Sequence, residues 1–205
     1  MKITRILSPL TLIASAMLAG CGGSTQLTNV WADPQGVSDP IEKMLIIGVT
    51  DEQAVRRSFE DQFVSELERE RISAVSSAAA LGPGKIDSTI IHDYVRQNDI
   101  DAILVTRLLG VDKQQQYNPG TTYWEPSYYG GFYGYYNWGY SAYTTPGYWT
   151  EYEVLRLETL IYRSNAQLLW AANSETFDPG SESTVVKALA DAVIQDLDRR
   201  DLLAF

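Results

Sequence analysis

The sequence predicts a mixed α/β (α+β) domain with the element order β-α-β-α-β-β-β-α. Two continuous apolar runs, one ending at Val49 and one at Leu109, suit strands that are buried on both faces, as in parallel sheets. The segment from Tyr152 to Arg163 instead alternates apolar and polar residues, which is typical of an antiparallel strand with one wet face. Together these patterns predict one mixed sheet.

The first predicted strand runs from Lys43 to Val49, and a helix follows from Thr50 to about Arg71. Thr50 and Gln53 have the spacing of a capping box. The helix carries an apolar residue at every fourth position: Val55, Phe59, Phe63 and Leu67. A short second strand is expected over residues 72–75 and a loop over residues 76–84.

The second predicted helix runs from about Asp87 to Gln97, and the third strand from Ala102 to Leu109. The buried candidates on this helix are Ile90, Ile91, Tyr94 and Val95. Beyond a long insertion, the alternating strand turns at Ser164-Asn165 into a second strand around Trp170, which predicts an antiparallel hairpin. A last helix has apolar residues at helical spacing: Val185, Val186, Leu189, Val193, Ile194 and Leu197.

The N-terminus has the pattern of a secretory signal peptide over residues 1–20. Lys2 and Arg5 form a short positive region, and residues 6–18 are mostly apolar but shorter than the ~20 residues that a membrane-spanning helix needs. Small residues follow, and the sequence Leu-Ala-Gly-Cys ending at Cys21 resembles the lipobox of bacterial lipoproteins. The alternative is an ordinary signal peptide with an incidental cysteine.

The lipobox resemblance implies that the chain is cut before Cys21 and that the thiol of Cys21 receives a diacylglycerol. Cys21 is the only cysteine, so an intramolecular disulfide is impossible. In enterobacterial lipoproteins an aspartate after the cysteine favours the inner membrane, and Gly22 here favours the outer membrane. We therefore expect a protein anchored by lipid to the bacterial outer membrane, with its domain facing the periplasm.

The mature chain is expected to consist of a tether and one domain. Residues 21–40 are rich in Gly, Ser, Thr, Asn, Asp and Pro, which predicts a flexible tether. Trp31 is unexpected in a tether, and its side chain could pack on the domain. Residues 41–205 form the α/β domain. Removing residues 1–20, which carry two positive charges and no acid, takes the formal charge from −10 to −12. This charge opposes binding to nucleic acid.

Three segments of the domain resemble a family of uncharacterised bacterial lipoproteins, over roughly residues 41–200. The segments are Arg56–Asp61 on the first helix, Asp101–Thr106 on the third strand, and Leu157–Tyr162 with Leu169–Ala171 in the hairpin. The element order is also similar to the small α/β domain of the Tol-system propeller protein and of the curli secretion lipoprotein. These motifs are structural, so the resemblance implies a location and a fold but no chemistry.

The insertion between the third and fourth strands, residues 113–150, has a different composition from the rest of the chain. Between Tyr117 and Trp149 there are ten tyrosines, three tryptophans and six glycines, and Glu125 is the only charge. Such long insertions are usually functional or disordered. The candidate contact residues are Tyr123, Trp124, Tyr128, Tyr129, Phe132, Tyr133, Tyr135, Tyr136, Trp138 and Tyr140.

Four uses of this insertion are consistent with its composition. Tyrosine with glycine and serine is the composition of adaptable binding loops, and aromatic rings also stack on sugars, as in peptidoglycan. Tyrosine and tryptophan suit the membrane–water interface as well. An uncharged aromatic segment is also prone to self-association. The plain alternative is a low-complexity tip that binds nothing.

The sequence argues against an enzyme. His92 is the only histidine and reads as a solvated helix residue, and there is no His/Cys cluster for zinc and no phosphate-binding glycine loop. The acids two apart, Asp99 with Asp101 and Asp196 with Asp198, read as surface charge. A glycosidase with two distant carboxylates stays open, because such pairs converge only in the fold. We expect a non-catalytic binding or scaffolding role without cofactor, with an envelope protein or a glycan as partner.

Overall fold

The computed structural model describes residues 25–36, 40–120 and 146–204. The strands are β1 (Thr25–Ala32), β2 (Lys43–Val49), β3 (Ser73–Ser76), β4 (Ala102–Asn118), β5 (Tyr148–Arg163) and β6 (Leu168–Phe177). The helices are α1 (Gln53–Arg69), α2 (Ser77–Ala80), α3 (Ser88–Gln97) and α4 (Glu182–Asp198). The predicted order is present, with β1 and the short α2 added to it.

All six of these strands form one mixed sheet in the order β1-β6-β5-β4-β2-β3. β2 pairs in parallel with both β3 and β4, while β4-β5, β5-β6 and β6-β1 are antiparallel. The chain order β2-α1-β3 supplies the crossover that parallel neighbours need. The predicted α/β (α+β) class with a mixed sheet is confirmed.

The segment predicted as a tether contains a strand of the sheet. β1 pairs antiparallel with β6, from Thr25 opposite Thr176 to Ala32 opposite Trp170. Its register shifts between Thr28 and Trp31, where Asn29 has a φ of 51°, a backbone conformation that asparagine tolerates better than most residues. The prediction of a tether over residues 21–40 is therefore wrong for Thr25–Ala32, because a polar edge strand and a linker have similar compositions.

The main core lies between the sheet and the two long helices, α1 and α4. Trp170 of β6, Phe63 of α1 and Leu189 of α4 are fully buried members of one apolar cluster. The apolar positions predicted for the last helix are confirmed as buried: Val185, Val186, Leu189, Val193, Ile194 and Leu197. Ser181 caps this helix by accepting a hydrogen bond from the Thr184 amide at 3.2 Å.

Helix α1 differs from its sequence pattern on one face and at its start. Its buried positions are Arg56, Glu60, Phe63, Glu66 and Leu67, whereas Val55 is exposed. The predicted capping box does not form, since the N-cap residue is Glu52 and it makes no side-chain cap. The buried stripe therefore begins with a charged pair.

The second face of the sheet is covered in part by α3. Val95 and Ile100 pack there with Leu45 of β2, and Asp87 caps the helix by accepting the Thr89 amide at 2.8 Å. Ile90, a predicted buried position, is exposed. The predicted loop over residues 76–84 contains α2, whose first turn is capped by Ser76.

Strands β4 and β5 extend well into the segment predicted as an insertion. β4 continues to Asn118 and β5 begins at Tyr148, with Asn118 and Tyr148 opposite each other. The predicted boundaries of 113 and 150 are thus five and two residues inside regular strands. The ten candidate contact aromatics lie between residues 123 and 140, outside the described residues.

Candidate functional site: an aromatic hairpin arm

The two longest strands project beyond the rest of the sheet as a two-stranded arm. Across the sheet, Asp112, Val154 and Phe177 stand in one row, and β6 ends at Phe177. Within the described part of the chain, β4 and β5 continue past this row over residues 113–118 and 148–153. We call these two stretches the hairpin arm. At ~3.3 Å per residue the arm is about 20 Å long.

Side chains of facing residues hold the two strands of the arm together. Lys113 lies 3.4 Å from Glu153, and the Tyr152 hydroxyl donates to Gln114 at 2.8 Å. Nearer the end, the Asn118 amide donates to the Thr150 hydroxyl at 2.8 Å. Such cross-strand pairs each contribute roughly 0.2–1 kcal/mol. The arm is therefore an ordered ribbon although it has few neighbours in the fold.

The outer end of the arm carries an exposed aromatic patch. Tyr117 and Trp149 face each other with ring centroids 5.0 Å apart at an interplanar angle of 51°. Tyr117, Tyr148 and Trp149 are 51%, 62% and 65% exposed. We call these three residues the stem aromatics. Tyr148 and Trp149 are neighbours along β5, so their side chains point to opposite faces of the ribbon, and exposed rings on both faces at one end mark a contact surface.

A glycine makes room for the Tyr117 ring beside this patch. A Cβ atom at Gly147 would meet the hydroxyl of Tyr117, and it would also lie 2.6 Å from the ring carbon Cζ. Glycine at this position therefore lets the Tyr117 ring lie across the start of β5.

The base of the arm is fixed by charged side chains. The Arg156 guanidinium lies 2.5 Å from an Asp112 oxygen and 3.1 Å from a Glu175 oxygen, so one cation bridges β4, β5 and β6. These groups line a cavity of about 360 Å³ that extends to Asn29 of β1 and to the β4 irregularity at Gly110. The charged groups of this cavity are paired with one another, and these ion pairs join the base of the arm to β6.

The residues singled out in the sequence fall into two groups. Cys21 and the ten candidate aromatics lie outside the described residues, which include 25–36, 40–120 and 146–204. The stem aromatics are not among the candidate contact residues predicted from the sequence. They lie in regular strands, but their composition does not distinguish them from the insertion. Their signal in the sequence was the aromatic character continuing through Tyr148 and Trp149, next to an alternating strand.

The histidine and acid candidates are separate from the arm. His92 is exposed on α3 and lies 3.5 Å from Asp93. The carboxylate of Asp101 accepts the amides of Glu42 and Lys43 at 3.1 and 2.9 Å, which joins the starts of β2 and β4. The interpretation of Asp196 as surface charge is wrong, since this residue is buried against Trp170.

Asp196 is held as a carboxylate by three donors. The indole Nε1 of Trp170 donates to it at 2.9 Å, Arg200 at 2.7 Å and Arg199 at 2.9 Å. Burial alone raises the pKa of Asp196, but the hydrogen bonds from Arg200 and Trp170 and the charges of both arginines outweigh it and leave the pKa below its usual value. The indole of the largest core residue thus has a fixed partner.

A second buried carboxylate ties α1 to the carboxyl ends of β2 and β3. Five donors reach Glu60: the amide of Gly48 at 2.9 Å, Arg56 Nε at 2.9 Å, the hydroxyls of Ser77 at 2.7 Å and Ser76 at 3.0 Å, and the amide of Ala78 at 2.6 Å. Arg56 also donates to the Ser77 hydroxyl and to the Gly84 carbonyl, both at 2.7 Å. We call this group the Arg56–Glu60 cluster.

Both carboxylate oxygens of Glu60 already accept hydrogen bonds within the Arg56–Glu60 cluster, so the cluster connects secondary-structure elements and is poorly placed to bind a substrate. Gly48 allows the close approach of α1, because a Cβ atom there would lie 3.2 Å from Phe59 Cδ1. Arg56 and Glu60 belong to one of the segments that resemble uncharacterised lipoproteins, and that resemblance implies no role for either residue. The structure gives these residues a physical role in joining α1, β2 and β3.

In residues 25–36, 40–120 and 146–204, no group of three or more His, Cys, Asp or Glu side chains is placed to hold a metal ion. Of the helices described, none combines the length and the apolar character of a membrane span.

Comparison with known proteins gives a limited result. No family model matches the chain, and no curated protein matches it. Two solved structures of PelC from Paraburkholderia phytofirmans, both described as dodecamers, are similar to it at 13% and 14% identity. In each case the similarity covers 89% of this chain and 99% of the PelC chain, with TM-scores of 0.46 and 0.43. The resemblance to a lipoprotein family stays a prediction.

Proposed function

We propose that this protein is a lipid-anchored lipoprotein of the bacterial cell envelope that acts by binding or scaffolding and not by catalysis. Its anchor is the lipidated Cys21 at the outer membrane, with the domain facing the periplasm. Its contact surface is the hairpin arm together with the aromatic insertion that joins the two ends of the arm. The partner is an envelope component, either a protein or a glycan.

The observation that carries this proposal is the projection of the stem aromatics on an ordered ribbon. Tyr117, Tyr148 and Trp149 are more than half exposed, although burial of such rings would favour folding. Tyrosine and tryptophan provide large contact areas at low cost in side-chain entropy. A ribbon that is already paired loses little further freedom when it binds. Both properties favour the arm as a binding element.

A non-catalytic role is supported by how the buried acids are used. The carboxylates of Glu60 and Asp196 accept hydrogen bonds from five and three donors, all from the chain itself. Groups held in this way stabilise the fold and are poorly placed to exchange protons with a substrate. The binding surface is thus separate from the polar clusters of the domain.

The test is photo-crosslinking in cells with a photoreactive residue at Tyr148 and a matched control at Trp31. Trp31 is also an exposed aromatic on a strand, at 45%, but it stands at the other end of the sheet. We expect crosslinked products from Tyr148 that are absent from Trp31. Equal products from both positions, or none from Tyr148, would contradict the arm as the contact surface.

Anchoring has its own test, which is the substitution Cys21→Ser. The variant should move from the membrane fraction to the soluble fraction, since the lipid is the proposed link to the membrane. If the variant still sediments with membranes, the anchoring claim is wrong, whatever the arm binds.

The second candidate function is a glycan-binding module, and the pairing of Tyr117 with Trp149 favours it. Two large rings with exposed faces are suited to stacking on sugar rings. In the same crosslinking experiment this function predicts that glycan hydrolases remove the added mass from the Tyr148 product and that mass spectrometry finds no second polypeptide in it.

A further inference from the structure

The start of β1 and the hairpin arm lie at the same end of the sheet. β1 begins at Thr25, which pairs with Thr176 of β6, and Thr176 pairs with Leu155 of β5. Leu155 in turn pairs with Val111 of β4. These four residues form one row across the sheet, and the arm begins two residues beyond this row. The chain that precedes Thr25 therefore departs from the edge at which the arm projects.

The distance between Cys21 and the sheet is limited by chain length. Gly22, Gly23 and Ser24 alone separate Cys21 from Thr25. Four steps of an extended chain span at most ~14 Å. A lipidated Cys21 lies at the membrane surface, so the start of β1 would be held within about 14 Å of that surface.

The arm is long enough to cover this distance. It extends about 20 Å beyond the sheet. Adjacent strands are rotated by about 20–25°, so β5 lies about 45° from β1, and about 14 Å of the arm remains along the axis of β1. Since a real tether is rarely fully extended, the end of the arm reaches the level of the anchored cysteine or passes it.

The outer end of the arm has the chemistry of a membrane–water interface. Its charged residues, Lys113, Glu151 and Glu153, lie towards the base, and from Gln115 to Asn118 on β4 the residues are uncharged. The opposite stretch, Tyr148 to Thr150, is also uncharged. Tyrosine and tryptophan are the residues enriched where a protein meets lipid headgroups. The end of the arm therefore offers a neutral aromatic surface, although the whole chain has a formal net charge of −10.

We propose that the stem aromatics, Tyr117, Tyr148 and Trp149, contact the headgroup region of the membrane that holds the Cys21 lipid, and so fix how the domain stands on that membrane. This inference rests on the lipid anchoring in the proposed function and adds the lipid surface as a contact of the stem aromatics, beside the protein or glycan that the arm and the insertion bind. Two attachments, the lipid and the arm, leave the domain much less rotational freedom than one.

The test uses the lipidated full chain in vesicles, with a nitroxide label on a single introduced cysteine. The lipid occupies the thiol of Cys21, so Gln116→Cys provides the sole free thiol on the arm. Ser164→Cys is the matched control, because Ser164 is exposed in the β5–β6 turn at the opposite end of β5. Collisions are measured with oxygen, which concentrates in lipid, and with a water-soluble nickel chelate.

The inference predicts severalfold more oxygen contact relative to nickel contact at Gln116 than at Ser164. Adding Trp149→Ser should shift the arm about tenfold towards its water-exposed state, the factor expected when about 60 Å² of apolar ring no longer leaves water. Adding Trp31→Ser, at the far end of β1, should change nothing.

Three outcomes would overturn the inference, and they separate it from the proposed function. If both labels are equally open to nickel while the protein stays on the vesicles, the arm does not touch lipid and the anchoring survives. If the Gln116 label is shielded from both reagents, another part of the chain or a second copy of it covers the arm, and the arm does not touch lipid. If the intact chain does not bind vesicles at all, the anchoring itself is wrong, and the inference is wrong with it.

Discussion

Removing the carboxylate of Glu60 is expected to be among the most damaging single changes in the domain. Glu60→Ala leaves the guanidinium of Arg56, which is 4% exposed, in the core without its charge partner. It also leaves the amides of Gly48 and Ala78 and the hydroxyl of Ser76 without the acceptor that they use. Breaking a buried ion pair from one side costs about 3–5 kcal/mol. We expect the free energy of unfolding to fall by that amount.

The same helix provides a matched control one residue away. Arg57 and Asp61 repeat the i, i+4 spacing of Arg56 and Glu60, but their side chains are 69% and 49% exposed and the atoms are 3.4 Å apart. Solvent screens such a pair, so Asp61→Ala should lower the free energy of unfolding by at most about 0.5 kcal/mol. The contrast between the two alanine variants isolates burial from helix position.

A double variant tests whether the cost is the stranded charge or the lost packing. Arg56→Met with Glu60→Leu removes both charges and keeps apolar volume, and buried pairs replaced in this way are often neutral or stabilising. We expect the double variant to be more stable than Glu60→Leu alone. It is not expected to recover fully, because the amides of Gly48 and Ala78 still lose their acceptor.

Urea denaturation followed by far-ultraviolet circular dichroism measures these differences on the mature chain with Cys21→Ser. A midpoint shift without a change in slope reports stability alone. A loss below about 1 kcal/mol for Glu60→Ala, or a loss equal to that of Asp61→Ala, would refute the view that the Arg56–Glu60 cluster joins α1 to the sheet.

Three further predictions concern the caps, the second carboxylate and the arm. Because the pKa of Asp196 is lowered in the folded state, the stabilisation by its carboxylate is present above the usual aspartate pKa and is lost as the pH falls through the folded value. Asp196→Asn should therefore make the free energy of unfolding depend less on pH below about pH 4, whereas Asp198→Asn, at an exposed position, should not. Thermal melts recorded over a series of acid pH values measure this difference. Ser181→Ala removes the cap of α4 and should cost about 1 kcal/mol in urea denaturation, whereas Ser183→Ala in the first turn should cost less. Replacing residues 119–147 by Asn-Gly should keep the facing pair Asn118 and Tyr148 in register and change the free energy of unfolding by less than about 1 kcal/mol, and loss of cooperative unfolding would show that the insertion belongs to the core.

The elements with strong apolar patterns were predictable from the sequence. The continuous runs of β2 and β4 and the spacing along α4 report burial directly, since a buried face requires apolar residues at a fixed period. Their pairing as parallel neighbours followed from the intervening helices. The fold class could therefore be predicted even though several element boundaries were not.

The charged face of α1 could not be predicted, for a physical reason. Sequence patterns equate burial with apolar character, but Arg56 and Glu60 are buried because each satisfies the other and the rest of the cluster supplies further partners. Those partners, among them Gly48 and Gly84, lie 12 to 28 residues away in the chain. Nothing local marks the two residues, so the apolar Val55 was assigned to the core in their place.

The sequence composition predicted an aromatic contact segment, but it did not predict the hairpin arm that carries the stem aromatics. The aromatic insertion stands out in the sequence, while the stem aromatics owe their exposure to the difference in length between β4–β5 and β6. That difference depends on where β6 ends, at Phe177, just before Asp178 with its φ of 50°. Strand length depends on such local turns and on the side-chain pairs between neighbouring strands. These pairs can be identified only when the register of the sheet is known.

The strand missed at the N-terminus has the largest consequence for function. With residues 21–40 as a tether, Cys21 could stand up to ~70 Å from the domain, and the lipid would place no constraint on orientation. With β1 beginning at Thr25 beside β6, the limit falls to about 14 Å, and the proposed lipid on Cys21 would keep the sheet end that carries the arm near the membrane. An edge strand of eight residues thus replaces most of a long flexible linker with a short one. In the proposed arrangement, this brings the exposed rings of the arm within reach of the membrane surface.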